Sequence, residues 1–127
     1  MGRIEKFEDM RVWQDARVMV TEVYQMSERG AFARDHGLRD QMRRAAVSVM
    51  SNVAEGFERR GNREFVQFLY IAKASAAEVR SQLYVASDLG YLDQSQCARL
   101  QEKLTAIARQ LSGLIKYLKQ AGQGYPS

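Results

Sequence analysis

An all-α, antiparallel up-down-up-down four-helix bundle is the fold class that this 127-residue sequence predicts. Three observations point to it. Apolar residues recur at alternating spacings of three and four in four separate segments, as expected of helices that each bury one face. The one proline, Pro126, stands at the extreme C-terminus, so nothing in the interior breaks a long helix. Short connections at 59–62 and 90–92 force the helices they join to run antiparallel.

The first helix is expected at about 9–29, with Val12 or Trp13, Ala16, Val20 and Val23 on its buried face and a break near Gly30. The second, about 36–58, carries Leu38, Met42, Ala45, Val49 and Val53, with Gly61 or Gly56 as its end. In the third, about 62–89, Phe65, Leu69, Ala72, Ala76, Val79, Leu83 and Ala86 form the stripe. Gly90, just beyond it, suits the left-handed conformation that stops helices. The fourth, about 93–121, opens on Asp93 with Gln96 three residues later, a capping-box arrangement. Its stripe is Leu100, Leu104, Ile107, Leu111, Leu114 and Leu118, and Gly122 suits a stop. No alternating strand pattern and no 20–50-residue repeat competes with this reading.

Length and composition fit one domain over residues 1–127, with short flexible ends at about 1–6 and 122–127. The single cysteine, Cys97, falls in register with the fourth stripe and reads as a small buried hydrophobe. The N-terminus lacks the apolar run of a signal peptide, and no segment approaches the ~18 apolar residues of a membrane span, so a cytoplasmic protein is expected. The net charge of +4 is unevenly spread. Residues 1–28 are net acidic, whereas 39–63 and 99–119 are net basic, the latter with Glu102 as its lone acidic residue. Segregated charge of this size suits either an acidic partner or solubility alone.

A search for catalysis returns no complete constellation. His36 is the only histidine, and no G-x-S-x-G nucleophile elbow is present. Di-iron bundles need Glu-x-x-His pairs, but Glu55 is followed at the third position by Glu58 and Glu78 by Ser81. The segment EGFERRGNR lacks the Lys-Ser/Thr of a phosphate-binding loop. Neither enzyme activity nor a cofactor or metal is expected.

Binding is the remaining class. Arg59, Arg60 and Arg63 cluster at the turn between the second and third helices, Arg39, Arg43 and Arg44 precede it, and Lys73 follows it. These seven are the candidate contacts to the phosphates of RNA or DNA. The alternative is an adaptor module that presents its helices to a protein partner. On the third helix Val66, Phe68, Tyr70 and Ile71 are apolar outside the stripe, which marks a candidate self-association surface. Ser48, Asn52 and Glu55 lie on one polar stripe of the second helix and are read as fixing helix pairing.

The segments FEDMRVWQDA (7–16), GLRDQMRRAAVSVMSNVAEGF (37–57), EFVQFLYIAKASAAEV (64–79) and DLGYL (88–92) resemble the 23S ribosomal RNA intervening-sequence protein family. The resemblance covers about residues 7–118. The family signature falls on Trp13, Arg39, Gln41, Arg43, Arg44, Ala45, Ser48, Ser51, Asn52, Ala54, Glu55, Gly56 and Phe57. It implies a non-enzymatic bacterial four-helix bundle that assembles as a homopentamer. A related group accompanies the reverse transcriptases of diversity-generating retroelements, which implies nucleic acid and such a transcriptase as possible partners. Two positions depart from the family: Met50 stands where proline is common and His36 where an aromatic residue is usual. Without that proline no kink is expected in the second helix.

Overall fold

The computed structural model describes the backbone of residues 4–124 and the side chains of residues 4–121. A 3-10 turn at Phe7–Asp9 leads into α1 (Arg11–Met26), followed by a short α2 (Gly30–Arg34). The long helices α3 (His36–Glu58), α4 (Asn62–Asp88) and α5 (Gln94–Gly124) complete the chain. Among the described residues there is no strand. Residues 1–3 and 125–127 of the ends expected to be flexible lie outside the described residues.

The four long helices stand where apolar periodicity places them, and two details differ. The first expected helix is divided. α1 ends at Met26 with Ser27 as its C-cap, the Ser27 hydroxyl donating to the Val23 carbonyl at 2.7 Å, after which α2 forms and buries Phe32 completely. On the buried face of α1, Val12, Ala16 and Val23 stand as expected, but Met19 takes the place expected of Val20. Val12, Ala16, Met19, Val23 and Met26 are its buried residues, while Val20 is half-buried at the margin. Methionine is unbranched and fills such irregular gaps readily, so Met19 can take a core position that a stripe of valines would miss.

Helix ends follow local chemistry. Gly61 and Gly90, at φ +88° and +75°, occupy the left-handed region in the turns before and after α4. The capping box forms: the Gln96 amide nitrogen donates to Asp93 Oδ1 at 2.7 Å, and the Asp93 amide donates to Gln96 Oε1 at 3.2 Å. Gly122 does not stop α5, which continues to Gly124; glycine permits a left-handed stop without imposing one.

Side-chain contacts give the helix directions. Ser48 meets Ser75 and Gly56 meets Phe65 and Phe68, so α3 and α4 run antiparallel. Leu83 meets Cys97, Arg80 meets Gln101 and Tyr70 meets Lys119, so α4 and α5 do too. Glu22 meets Lys103 and Asp15 meets Gln110, which reverses α5 against α1. The core runs the length of these pairings, with Met42, Leu69, Leu83, Leu100, Leu104, Ile107 and Leu111 fully buried. Cys97 is buried as expected and donates to the Leu83 carbonyl at 3.7 Å.

The closest approach is between α3 and α4. Gly56 is buried, and a Cβ placed on it would lie 2.7 Å from Phe68 Cβ and 2.9 Å from Phe65 Cδ1. Small residues, Ala45 and Ser75, line the same α3–α4 interface further along. At the opposite end a second fastening joins two connections. Asp35 caps α3 by accepting from the Leu38 amide at 3.1 Å, and its other oxygen accepts from the Tyr91 hydroxyl at 2.8 Å. Tyr91 stacks on Phe32 with ring centroids 5.1 Å apart. The Leu38 amide and then the Tyr91 hydroxyl hold the Asp35 carboxyl below its usual pKa.

Replacing Gly56 by Ala should therefore destabilise the protein by about 1–3 kcal/mol, because Phe68 Cβ is fixed to the backbone and cannot swing aside. Gly113 is also helical, but a Cβ there would meet open space, so Gly113→Ala should stabilise by about 0.5–1 kcal/mol. Thermal unfolding of the two variants distinguishes crowding from helix propensity. A lowered carboxyl pKa stabilises the fold above the unfolded pKa and ceases to do so as pH falls through the folded value. The stability gap between wild type and Asp35→Asn should thus narrow between pH 5 and pH 2, as read from urea midpoints.

Candidate nucleic-acid interface

The seven cationic candidates divide by environment. Arg39 is largely buried at the start of α3, with Nε on Asp40 at 2.8 Å and Nη1 donating to the Ala33 carbonyl at 2.8 Å. Its hydrogen bond is the main reason the Asp40 carboxyl lies below its usual pKa. Arg43 reaches back to the end of α1, where Nε donates to Ser27 Oγ at 2.7 Å and Nη2 to the Tyr24 carbonyl at 3.2 Å. Its guanidinium also sits 4.5 Å from the Tyr24 ring centroid. A cation capping a helix C-terminus satisfies free carbonyls and opposes the helix dipole. Arg59 pairs with Glu55 at 2.9 Å and lies 4.9 Å from the Phe68 ring centroid. These three are engaged within the fold.

Arg44, Arg60, Arg63 and Lys73 are exposed and make no ion pair among the described residues. They do not form one surface. Arg44 edges a polar depression between α3 and α4, lined also by Gln41, Ser48, Ser75 and Glu78. Arg60 and Arg63 sit at the α3–α4 turn.

Lys73 joins a basic groove between α4 and α5. Its lining is Tyr70, Lys73, Ser112, Ile115, Lys116, Lys119 and Gln120, around a volume of about 330 Å³. Lys119 Nζ donates to the Tyr70 hydroxyl at 3.0 Å. No Asp or Glu occurs on α4 from Phe65 to Ala77, nor on α5 from Lys103 to Lys119, so no acidic residue of these stretches neutralises the groove. Because α4 and α5 are antiparallel, the last turns of α5 flank the first turns of α4, and the groove shares an end of the bundle with Arg60 and Arg63. Lys116 and Lys119 were not among the expected contacts. Their signal was the long acid-free run on the last helix, which becomes a site only once α5 is folded back against Lys73.

The polar signature holds α3 to α4 through Ser48. Its hydroxyl accepts from Ser75 Oγ and from Asn52 Nδ2, each at 2.9 Å, and Asn52 Nδ2 also donates to the Ser48 carbonyl at 2.8 Å. Glu55 does not reach α4 directly; it is exposed and orients Arg59 against Phe68. The four apolar residues expected to form one association surface are also divided. Val66 is buried in the core, and Phe68 is half-buried against Gly56. Tyr70 opens on the α5 side, whereas Ile71, half-exposed, shares the stripe of Phe68, Ser75 and Glu78 on the α3 side. Adjacent positions on a helix lie about 100° apart, so apolar residues in sequence need not make one patch.

Residues 8–113 match the family described as the 23S rRNA-intervening sequence protein. The chain belongs to that family. A solved structure similar to it is a protein of unknown function from the S23 ribosomal protein family of Bacteroides thetaiotaomicron, at 19% identity and a TM-score of 0.76. The likeness covers 83% of this chain and 98% of that one and shows a shared fold. No curated protein matches the sequence. The intervening-sequence family match contains Tyr70, Lys73 and Ser112 of the groove, while Lys116 and Lys119 lie beyond its end.

Arg43→Gln should lower stability by about 1–2 kcal/mol through loss of the α1 cap. It should leave the affinity for any anionic ligand of the α4–α5 groove unchanged. Paired thermal unfolding and binding measurements check both halves.

Proposed function

We propose that this protein is a non-enzymatic binding protein that engages the phosphate backbone of nucleic acid through the α4–α5 groove. The observation that carries the reading is the convergence of Lys73, Lys116 and Lys119 on one concave, acid-free surface. Lysine ammonium groups there act as point charges toward phosphate oxygens, while Ser112, Gln120 and the Tyr70 hydroxyl supply neutral hydrogen-bonding groups. Arg60 and Arg63 extend positive charge beyond the groove toward the α3–α4 turn. The family name, with its reference to ribosomal RNA, agrees in chemistry with such a ligand.

The protein acts as a homo-oligomer in this reading. Ile71 and Val85 on α4 and Leu89 at its C-cap are 50%, 47% and 54% exposed, an unusual load of apolar surface for one helix and its end. The resemblance implies a pentamer.

Binding of a structured RNA should weaken steeply with salt. Three to five phosphate contacts would give a log–log slope of about −2 to −4.5. Reversing charge at Lys73, Lys116 and Lys119 together should reduce that slope by about 2–3 and abolish most of the affinity at about 50 mM salt. Unchanged binding by the triple variant would refute the groove as the site. For assembly, light scattering at micromolar concentration should give a mass well above the 14.5 kDa protomer, and a monomer would refute it.

A further inference from the structure

The same groove contains one aromatic ring, and its position distinguishes between kinds of nucleic acid. Tyr70 is 45% exposed and stands among Lys73, Lys116 and Lys119. Lys119 Nζ lies 3.0 Å from the hydroxyl oxygen but 5.4 Å from the ring centroid. The difference is close to the full distance from ring centre to hydroxyl. The ammonium therefore sits off the hydroxyl edge and not over a ring face, and it holds the ring in place without covering it.

An anchored, partly exposed aromatic ring beside a file of cations is the arrangement that binds single strands: phosphates follow the charges while a base stacks on the ring. A duplex offers phosphates but keeps its base faces stacked inside. The cationic strip is also short. Ser112 to Lys119 spans seven residues, about 10 Å along α5, which suits a few nucleotides better than a face of double helix.

Resting on the proposed nucleic-acid reading, we infer that the α4–α5 groove is a single-strand site, with Tyr70 as its base-stacking platform and Lys73, Lys116 and Lys119 as its phosphate contacts. Stacking on tyrosine is tolerant of base identity, so the site has little sequence preference.

The test uses fluorescence anisotropy with a labelled oligouridylate of about 12 nucleotides, an oligothymidylate of the same length, and a duplex of the same length. Single strands should bind more tightly than the duplex. Tyr70→Leu should weaken single-strand binding roughly tenfold with no change in salt slope, while Tyr70→Phe, which keeps the ring, stays within about threefold of wild type. Duplex binding should be indifferent to both changes. Equal affinity for the duplex, or a Tyr70→Leu variant that binds single strands as tightly as Tyr70→Phe, overturns the single-strand assignment while leaving backbone binding intact. If no oligonucleotide shows salt-dependent binding, or if polyglutamate of matched charge competes equally, the underlying nucleic-acid reading itself fails. Circular dichroism and the melting temperature of both variants confirm that the bundle is unaltered.

Discussion

The architecture depends on how closely α3 and α4 approach at Gly56. Phe68 Cβ and Phe65 occupy the space a side chain would need, so the crossing is fixed by backbone against side chain. Two turns earlier Ser75 donates to Ser48 across the same seam, which sets the register as well as the separation. A hydrogen bond of this kind contributes only about 1 kcal/mol, yet Ser75 is buried, and losing its partner would leave its hydroxyl unpaired in the seam. Packing by small residues and a polar pair thus specify together what neither would alone. Once α4 is seated, α5 must fold back along its other side, and the groove between them follows.

That ordering explains what was legible in the sequence. The stripes of α4 and α5 were plain, because Leu69, Leu83, Leu100, Leu104 and Leu111 keep a helical period, even beside the apolar Val66, Phe68, Tyr70 and Ile71 of α4. The capping box and Gly90 were legible for the same local reason. On α1 several apolar residues sit side by side, so periodicity pointed to Val20, whereas tertiary packing chose its neighbour Met19. Phe32 was passed over because a five-residue helix is too short to show a period. Asp35 and Tyr91 are separated by 56 positions in the chain, and nothing local to either marks the other as its partner.

The candidate site was harder to read because chemistry alone does not say which way a charge is spent. Arginine's planar fork suits phosphate oxygens, but it suits the carbonyls at the end of α1 and the face of an aromatic ring equally well. Arg39, Arg43 and Arg59 are used in that second way, on Ala33, on Ser27 and Tyr24, and on Glu55 and Phe68. Glu55, four residues before Arg59, is a partner that helix spacing shows, whereas Ser27, the Tyr24 carbonyl and the Phe68 ring come within reach only after the chain has turned back on itself. Lysine lacks the fork and is strongly hydrated, so it is rarely consumed in such caps.

The groove therefore emerges from subtraction. When arginines engaged in the fold are set aside, the cations left on α4 and the last turns of α5 are mostly lysines, and the neighbouring stretches of helix carry no acid. A net charge of +4 over the whole chain says little, since the net acidic stretch of residues 1–28 offsets part of the basic surface. Local composition decides the potential that an approaching anion meets, because screening at physiological salt limits its reach to about 8 Å. Lys73, Lys116 and Lys119 share one groove, and their helices are held by the α4–α5 core. Their stems project from backbone that need not rearrange to receive a ligand, which reduces the ordering cost of binding. The tight α3–α4 seam, through the placement of α4, is what positions this charge.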